Sequence, residues 1–454
     1  MTDTTASAEA KPSSAPQPWP SPSRAYYTVF VMALVVMFAE VDRGIMSLLV
    51  QPIKADLHLS DTSMSLLLGV AFALFYAGFG LPASRFIDRN NRKNILSAAL
   101  AIWSVATMFC GLAQNFVQLF LARLFLGAGE SVNGPAIFSI ITDSFPKERL
   151  TRAIALMQLG VTAGGAFSLI MGAIVIHMLV DVPDIHVAGI GVIRWWQLVF
   201  IVVGLPGVLV AVLTVFTVKE PARRGVINPA IVNKIGMRHV LAYMAQRWRV
   251  YAPFFGSMAI GSLALGVLAW GPAFYQRTYG WQPAQIGMMT GLASLICTPI
   301  GLFGGVWLYE RYVKQGLVEA PMRVVFLGRL IALPAPILMP LMPSPWLALA
   351  LTAFGSMAIG FTGASQNAAL QIITPNEMRG QMNALSLFLF SVVGNGLSPS
   401  IVALITDFVF RDESQLRYAM LTTSAFIMPT SLFVFWLAIK PYKREVERLN
   451  AIAA

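Results

Sequence analysis

Five charged residues, Glu40, Asp42, Arg43, Arg123 and Glu130, sit inside stretches otherwise apolar enough to cross a membrane. The first three lie in VMALVVMFAEVDRGIMSLLV and the other two in LARLFLGAGESVNGPAIFSI. A charge near the bilayer centre costs at least about 2.5–3.5 kcal/mol on insertion scales, so it persists with a partner, with water or with a function. Carboxylates and guanidiniums at that depth can trade protons for ion pairs, because burial raises a carboxyl's proton affinity and a nearby arginine lowers it.

Helical spacing constrains how the five meet. Arg123, Gly127, Glu130 and Gly134 repeat at intervals of four, three and four and share one face, with glycines permitting close approach of a neighbour. Glu40 and Arg43 share a face of the first span, and Asp42 points aside. At 1.5 Å per residue, Asp42 and Arg43 lie ~21 Å in from one surface, and Arg123 ~9 Å in from the other, which is the same level. Glu130 lies ~10 Å further along its helix, close to the midplane. The expected pairs are Asp42 with Arg123 and, if its side chain swings inward, Arg43 with Glu130. A rearranging network of this kind serves proton coupling or gating; a static network holding the two spans together is the alternative. Glu40 faces either a substrate cavity or a water-filled crevice.

The elements that must position these residues follow from composition. The 454 residues are 57% hydrophobic and 12% charged, with mean hydropathy +0.69, against about 25% charged residues in soluble chains. Apolar stretches begin near Tyr27, Thr62, Asn94, Phe116, Thr151, Arg194, Tyr251, Ala284, Met322, Trp346, Gly380 and Arg417, giving about twelve spans of the ~20 residues a bilayer requires. The expectation is an all-α membrane protein. The net charge of +11 is an orientation signal rather than a nucleic-acid footprint. With both termini cytoplasmic, roughly 24 of the 32 Lys+Arg fall in cytoplasmic segments. Such a chain belongs in the cell (inner) membrane, in contact with membrane lipids and with no nucleic-acid partner.

Residues 1–25 read as a disordered cytoplasmic tail without a signal peptide's apolar core. The longest polar interval, 220–249, carries an amphipathic pattern and divides a six-span bundle, 26–219, from a second, 250–440, before a cytoplasmic tail, 441–454. Asp88-Arg89 after the second span is echoed by Glu310-Arg311 after the eighth, and DSFPKERLTRA by TPNEMRGQMNA. The offset of roughly 220–230 residues argues for a duplicated six-span unit, the usual build of secondary transporters. Cys110 and Cys297 are isolated in apolar spans and the four histidines fall near span ends, so neither a disulfide framework nor a metal site is expected. No nucleophile–base set or phosphate loop is visible, and no enzyme is expected.

The turn Asp88-Arg89-Asn90-Asn91-Arg92-Lys93, the run Arg123-x3-Gly127-x-Gly129 and the closing Glu220-Pro221-x-Arg223 resemble signatures of the major facilitator superfamily. Ser84 and Asn91 stand where the family loop usually has glycine, and span five lacks the Gly-Pro pair of the antiporter signature. Within the superfamily, the acid-Asp-Arg cluster, Arg123…GAGE and Asp143-Ser-Phe-Pro146 resemble Spinster-type transporters. The resemblance implies two pseudo-symmetric six-helix bundles and alternating access. It also implies a cytoplasmic gate of Asp88, Arg89 and Arg92, completed by Asp143, Glu148, Arg149 and Arg152.

Spinster members move lysophospholipids or sphingosine-1-phosphate, so the implied cargo is an amphiphilic anion, carried with a proton as coupling ion and no other cofactor. Its head would meet Arg43 or Arg123, with Glu40 a further candidate contact, and its tail the second half, where Gln366, Asn367, Asn395, Phe254 and Trp270 are candidates. The alternatives are a drug or small organic-acid carrier of the same fold, and a non-transporting lipid receptor or scramblase. A monomer is expected. Arg329, about two turns inside its span, is expected to snorkel to the surface.

Overall fold

The computed structural model describes residues 18–189, 191–224, 237–375 and 378–453. Among the described residues ten helical stretches are long and apolar enough to cross a membrane. They are α2 (Asp61–Gly80, helical on to Arg89), α3 (Arg92–Cys110), α4 (Phe116–Ser144), α6 (Trp195–Thr217), α7 (Trp248–Tyr279), α8 (Pro283–Lys314), α9 (Ala320–Leu341), α10 (Pro345–Ile373), α11 (Arg379–Phe410) and α12 (Glu413–Ala451). Two more complete the twelve: α1 (Pro22–Leu48), which carries the Glu40/Asp42/Arg43 charges, and the 33-residue α5 (Lys147–Leu179). Helices are the form that satisfies every backbone group within one segment inside lipid.

α1 begins at Pro22, inside the stretch expected to be tail, because proline is pre-organised for a first helical turn. A short helix, Met237–Gln246, precedes α7, and α12 continues unbroken through the stretch expected to be the second tail. A two-stranded hairpin, Ile185–Val187 with Gly191–Ile193, joins α5 to α6.

With twelve crossings the start of α1 and the end of α12 lie on one face, here the terminal face, and the connections α1–α2, α7–α8 and α11–α12 lie on the far face. α1–α6 and α7–α12 pack as two bundles, each with its own apolar cluster. A third cluster joins them near the far face, bringing Ile45, Leu48 and Trp196 of the first half together with Trp270, Phe274 and Leu416 of the second. Backbones there approach at glycine. A Cβ on Gly69 of α2 would sit 2.7 Å from the Asn395 carbonyl of α11, and one on Gly287 of α8 would sit 2.6 Å from the Leu169 carbonyl of α5. Toward the terminal face the opposite holds: a Cβ on Gly78, Gly80, Gly134, Gly363 or Gly380 would meet nothing within 4 Å. The two halves are held together at the far face, and these terminal-face glycines have no neighbour from the other half within 4 Å.

Candidate functional site

α1 and α4 bring the buried charges of the first half together. Arg43 lies between two acids, with Nη2 2.6 Å from Glu40 Oε1 and Nη1 3.1 Å from Glu130 Oε2. The expected Arg43–Glu130 pair is formed. Its guanidinium also stands 5.4 Å from the centre of the Phe72 ring. Arg43 and Glu40 are each about a quarter exposed, whereas Glu130 is buried. Glu130 Oε1 has no hydrogen-bond partner among the described residues.

The carboxylate pair expected between Asp42 and Arg123 is not formed. Arg123, buried, donates from Nε to the Leu67 carbonyl at 3.3 Å and from Nη1 to the Asp42 backbone carbonyl at 3.5 Å. Leu67 lies in a π-turn, Leu66–Val70, where the widened helix frees carbonyls from their usual partners. A guanidinium that finds two carbonyls has less need of the carboxylate. The Asp42 carboxyl instead lies beside Thr107, within electrostatic reach of Arg123 and Arg43. The level estimated from sequence for Arg123 and Asp42 agrees with this contact.

At the far face a cluster that sequence reasoning missed ties the halves. Arg277 of α7 grips Asp61 of α2 through Nη1 at 2.7 Å and Nη2 at 2.6 Å. Lys54 pairs with the same Asp61 and, at 2.8 Å, with Glu413 of the second half. Asp407 of α11 caps the start of α2, accepting from Thr62 N and Oγ1 at 2.7 Å each. Among the described residues every ion pair between the halves belongs to this far-face group.

The terminal-face set divides. Arg92, buried, pairs with Asp143 and, at 2.6 Å, with Glu220, joining α3 and α4 to the end of α6. The network lies within the first half and does not clamp the two halves together. Arg149 and Arg152 are exposed. The side chains of Asp88, Arg89 and Glu148 lie outside the described residues. Glu220, quoted for its motif alone, belongs with Arg92.

In the second half two candidates are withdrawn. Trp270 is fully buried with Nε1 donating to the Pro399 carbonyl at 2.9 Å, and Phe254 packs against Phe255 and Phe435. Both are large apolar groups that helix packing claims first. Asn367 is exposed, and Asn395 lies in a π-turn, Phe390–Leu397, opposite Gly69. Arg329 does not snorkel. Its Nη1 reaches Ser257 Oγ at 2.5 Å and Ser431 Oγ at 3.2 Å, and its Nη2 reaches Gln366 Oε1 at 2.8 Å. Inward hydroxyls on α7 and α12 supply acceptors that lipid lacks.

Comparison with known proteins decides the family. Residues 32–399 match the Major Facilitator Superfamily. The chain belongs to it. An MFS-type efflux pump of Mycolicibacterium smegmatis is 28% identical over 94% of this chain and 95% of that protein. A probable L-galactonate transporter of Escherichia coli is 23% identical over 90% and 89%. The solved structure of a bacterial homologue of the human lysosomal transporter Spinster, in its inward-facing and unoccupied conformation, superposes with a TM-score of 0.75 at 24% identity, over 94% of this chain and 98% of that one. The Spinster-type resemblance and the two-bundle, twelve-helix fold read from the motifs both hold. The superfamily member is a multi-pass membrane protein and a secondary transporter.

Proposed function

We propose that this superfamily member is a proton-coupled carrier of a small organic acid, seated in the inner membrane with both ends cytoplasmic and held here in an inward-facing state. It works as a monomer, with the proton as its only cofactor. The observation that carries the coupling is Glu130: buried, sharing Arg43 with Glu40, and with Oε1 unsatisfied. Three carboxylates, Glu40, Asp42 and Glu130, face two guanidiniums, Arg43 and Arg123, so one proton balances the cluster. An unpaired buried carboxylate oxygen is costly, and a proton on Oε1 lowers that cost by neutralising the group. Protonated Glu130 releases Arg43 to an incoming anion; loss of the proton takes Arg43 back and expels it. Coupling follows because the Glu130 carboxylate and the anion compete for one arginine, so a proton on Glu130 favours anion binding.

The choice of a small acid over the amphiphile rests on the second half. With Phe254 and Trp270 taken up in packing, amides and Arg329 remain near the opening, and these suit a carboxylate or hydroxyls better than a hydrocarbon tail. The L-galactonate transporter of Escherichia coli is a relative in keeping with that cargo. The far-face cluster then acts as the outer gate, and the parting of the halves toward the terminal face as the open inner vestibule. Proteoliposomes loaded at neutral pH and placed in acid medium test the reading: D-galactonate or D-glucuronate should accumulate, saturably. Accumulation of a lysophosphatidate instead would restore the amphiphile, and accumulation of neither would overturn carrier function for these anions.

A further inference from the structure

Arg329 is a cation among neutral groups. Its contacts are two serine hydroxyls, the Gln366 carbonyl oxygen and the face of Phe435, whose ring centre lies 4.6 Å from the guanidinium carbon. It forms no ion pair among the described residues. Hydroxyls, an amide and a ring satisfy its hydrogens and part of its field, but none carries the opposite charge that a cation inside a membrane protein calls for. Arg43 in the first half, by contrast, already has two acids.

Gln366 stands at the edge of open space. A guanidinium has only donors, so the amide must turn its oxygen to Arg329 and its Nε2 away from it. Nε2 has no hydrogen-bond partner among the described residues. Gly363, three residues earlier on the same face, would carry a Cβ into empty space, and the neighbouring Asn367 is exposed. The arginine therefore fixes which end of the amide the opening sees, and adds positive potential behind it.

We propose that Gln366, held by Arg329, is the anion-recognising point of the second half: a carboxylate or phosphate oxygen of the cargo accepts from Gln366 Nε2, and the charge it brings is the counter-charge that Arg329 behind the amide lacks. Arg329 is on this account a positioning residue, and Gln366 touches substrate. The inference rests on the organic-anion reading above.

Gln366→Glu is the decisive variant, since it is nearly isosteric and places a carboxylate at the 2.8 Å contact. It hands Arg329 an internal counter-ion, so it should raise the melting temperature of the purified protein while weakening binding of D-glucuronate, measured by titration calorimetry, at least tenfold. Arg329→Gln should weaken binding similarly without the gain in melting temperature. Equal binding by wild type and Gln366→Glu would overturn this inference and leave the proposed function standing. Loss of binding with a lowered melting temperature in both variants would mark Arg329 as a structural tie only. No binding of any anion by the wild type would overturn the organic-anion reading and this site with it.

Discussion

Arg277 and Asp61 meet across the two halves through paired hydrogen bonds of 2.7 and 2.6 Å, the fork-to-fork geometry that gives a guanidinium–carboxylate contact both direction and strength. Asp61 is fully buried, and Lys54 and Glu413 complete the group. The pair exists only while the far face is closed, so it biases the equilibrium between the two openings of the carrier.

Arg277→Ala leaves Asp61 buried with Lys54 as its remaining basic partner. With Lys54 still paired to Asp61 the cost is below the about 3–5 kcal/mol of a fully stranded buried charge, and it falls on the closed far face alone. A cysteine placed at Ser65, buried beside Ser400 of α11, should label faster from the far side in Arg277→Ala than in its parent. Unchanged labelling would mean that apolar packing closes this face without the latch.

Glycine contacts test the same closure by bulk. Gly69→Val drives a side chain into the α11 backbone at Asn395, a misfit worth about 1–3 kcal/mol in packed interiors. It should lower the melting temperature of the inward-facing form and raise far-side labelling. Gly363→Val, which meets open space, should leave both readings unchanged. Equal behaviour of the two variants would contradict the asymmetry of the two faces.

On the terminal face Arg92 holds Asp143 and Glu220 together while itself buried. Arg92→Ala leaves two acids side by side, and about 3–5 kcal/mol of stability should go. Arg149→Ala, at an exposed position, should change stability by less than about 0.5 kcal/mol. Thermal unfolding in detergent separates them, and a small shift for Arg92→Ala would place the network outside the folded core of the first half.

Much of this molecule was legible because membrane physics writes plainly. Twelve apolar stretches, the repeat and the depth of each charge followed from hydropathy and a 1.5 Å rise, and the Arg43–Glu130 contact required in addition that the arginine swing toward an acid at another depth. The Asp42–Arg123 pair failed because sequence carries no sign of the π-turn that offers Arg123 the Leu67 carbonyl. Arg329 was misjudged for a related reason: its partners, Ser257 and Ser431, lie 72 and 102 residues away and look unremarkable in an apolar helix. Trp270 and Phe254 show the limit of composition, since an aromatic's type does not say whether it faces a cavity or its neighbours. The far-face latch left a usable signal. Far-face segments hold few basic residues, Lys54 and Arg277 among them, yet charges at span ends are ordinarily anchors, and only the fold sets them beside Asp61.

The central claim is that a proton on Glu130 frees Arg43 for the anion, and one comparison tests it. In proteoliposomes carrying wild type or Glu130→Gln, uptake of labelled D-glucuronate is measured with and without an inward proton gradient, alongside exchange at equal pH on both sides. The account predicts that the gradient drives accumulation by the wild type, and that Glu130→Gln keeps exchange but gains nothing from the gradient. Accumulation by Glu130→Gln that still follows the proton gradient would contradict it.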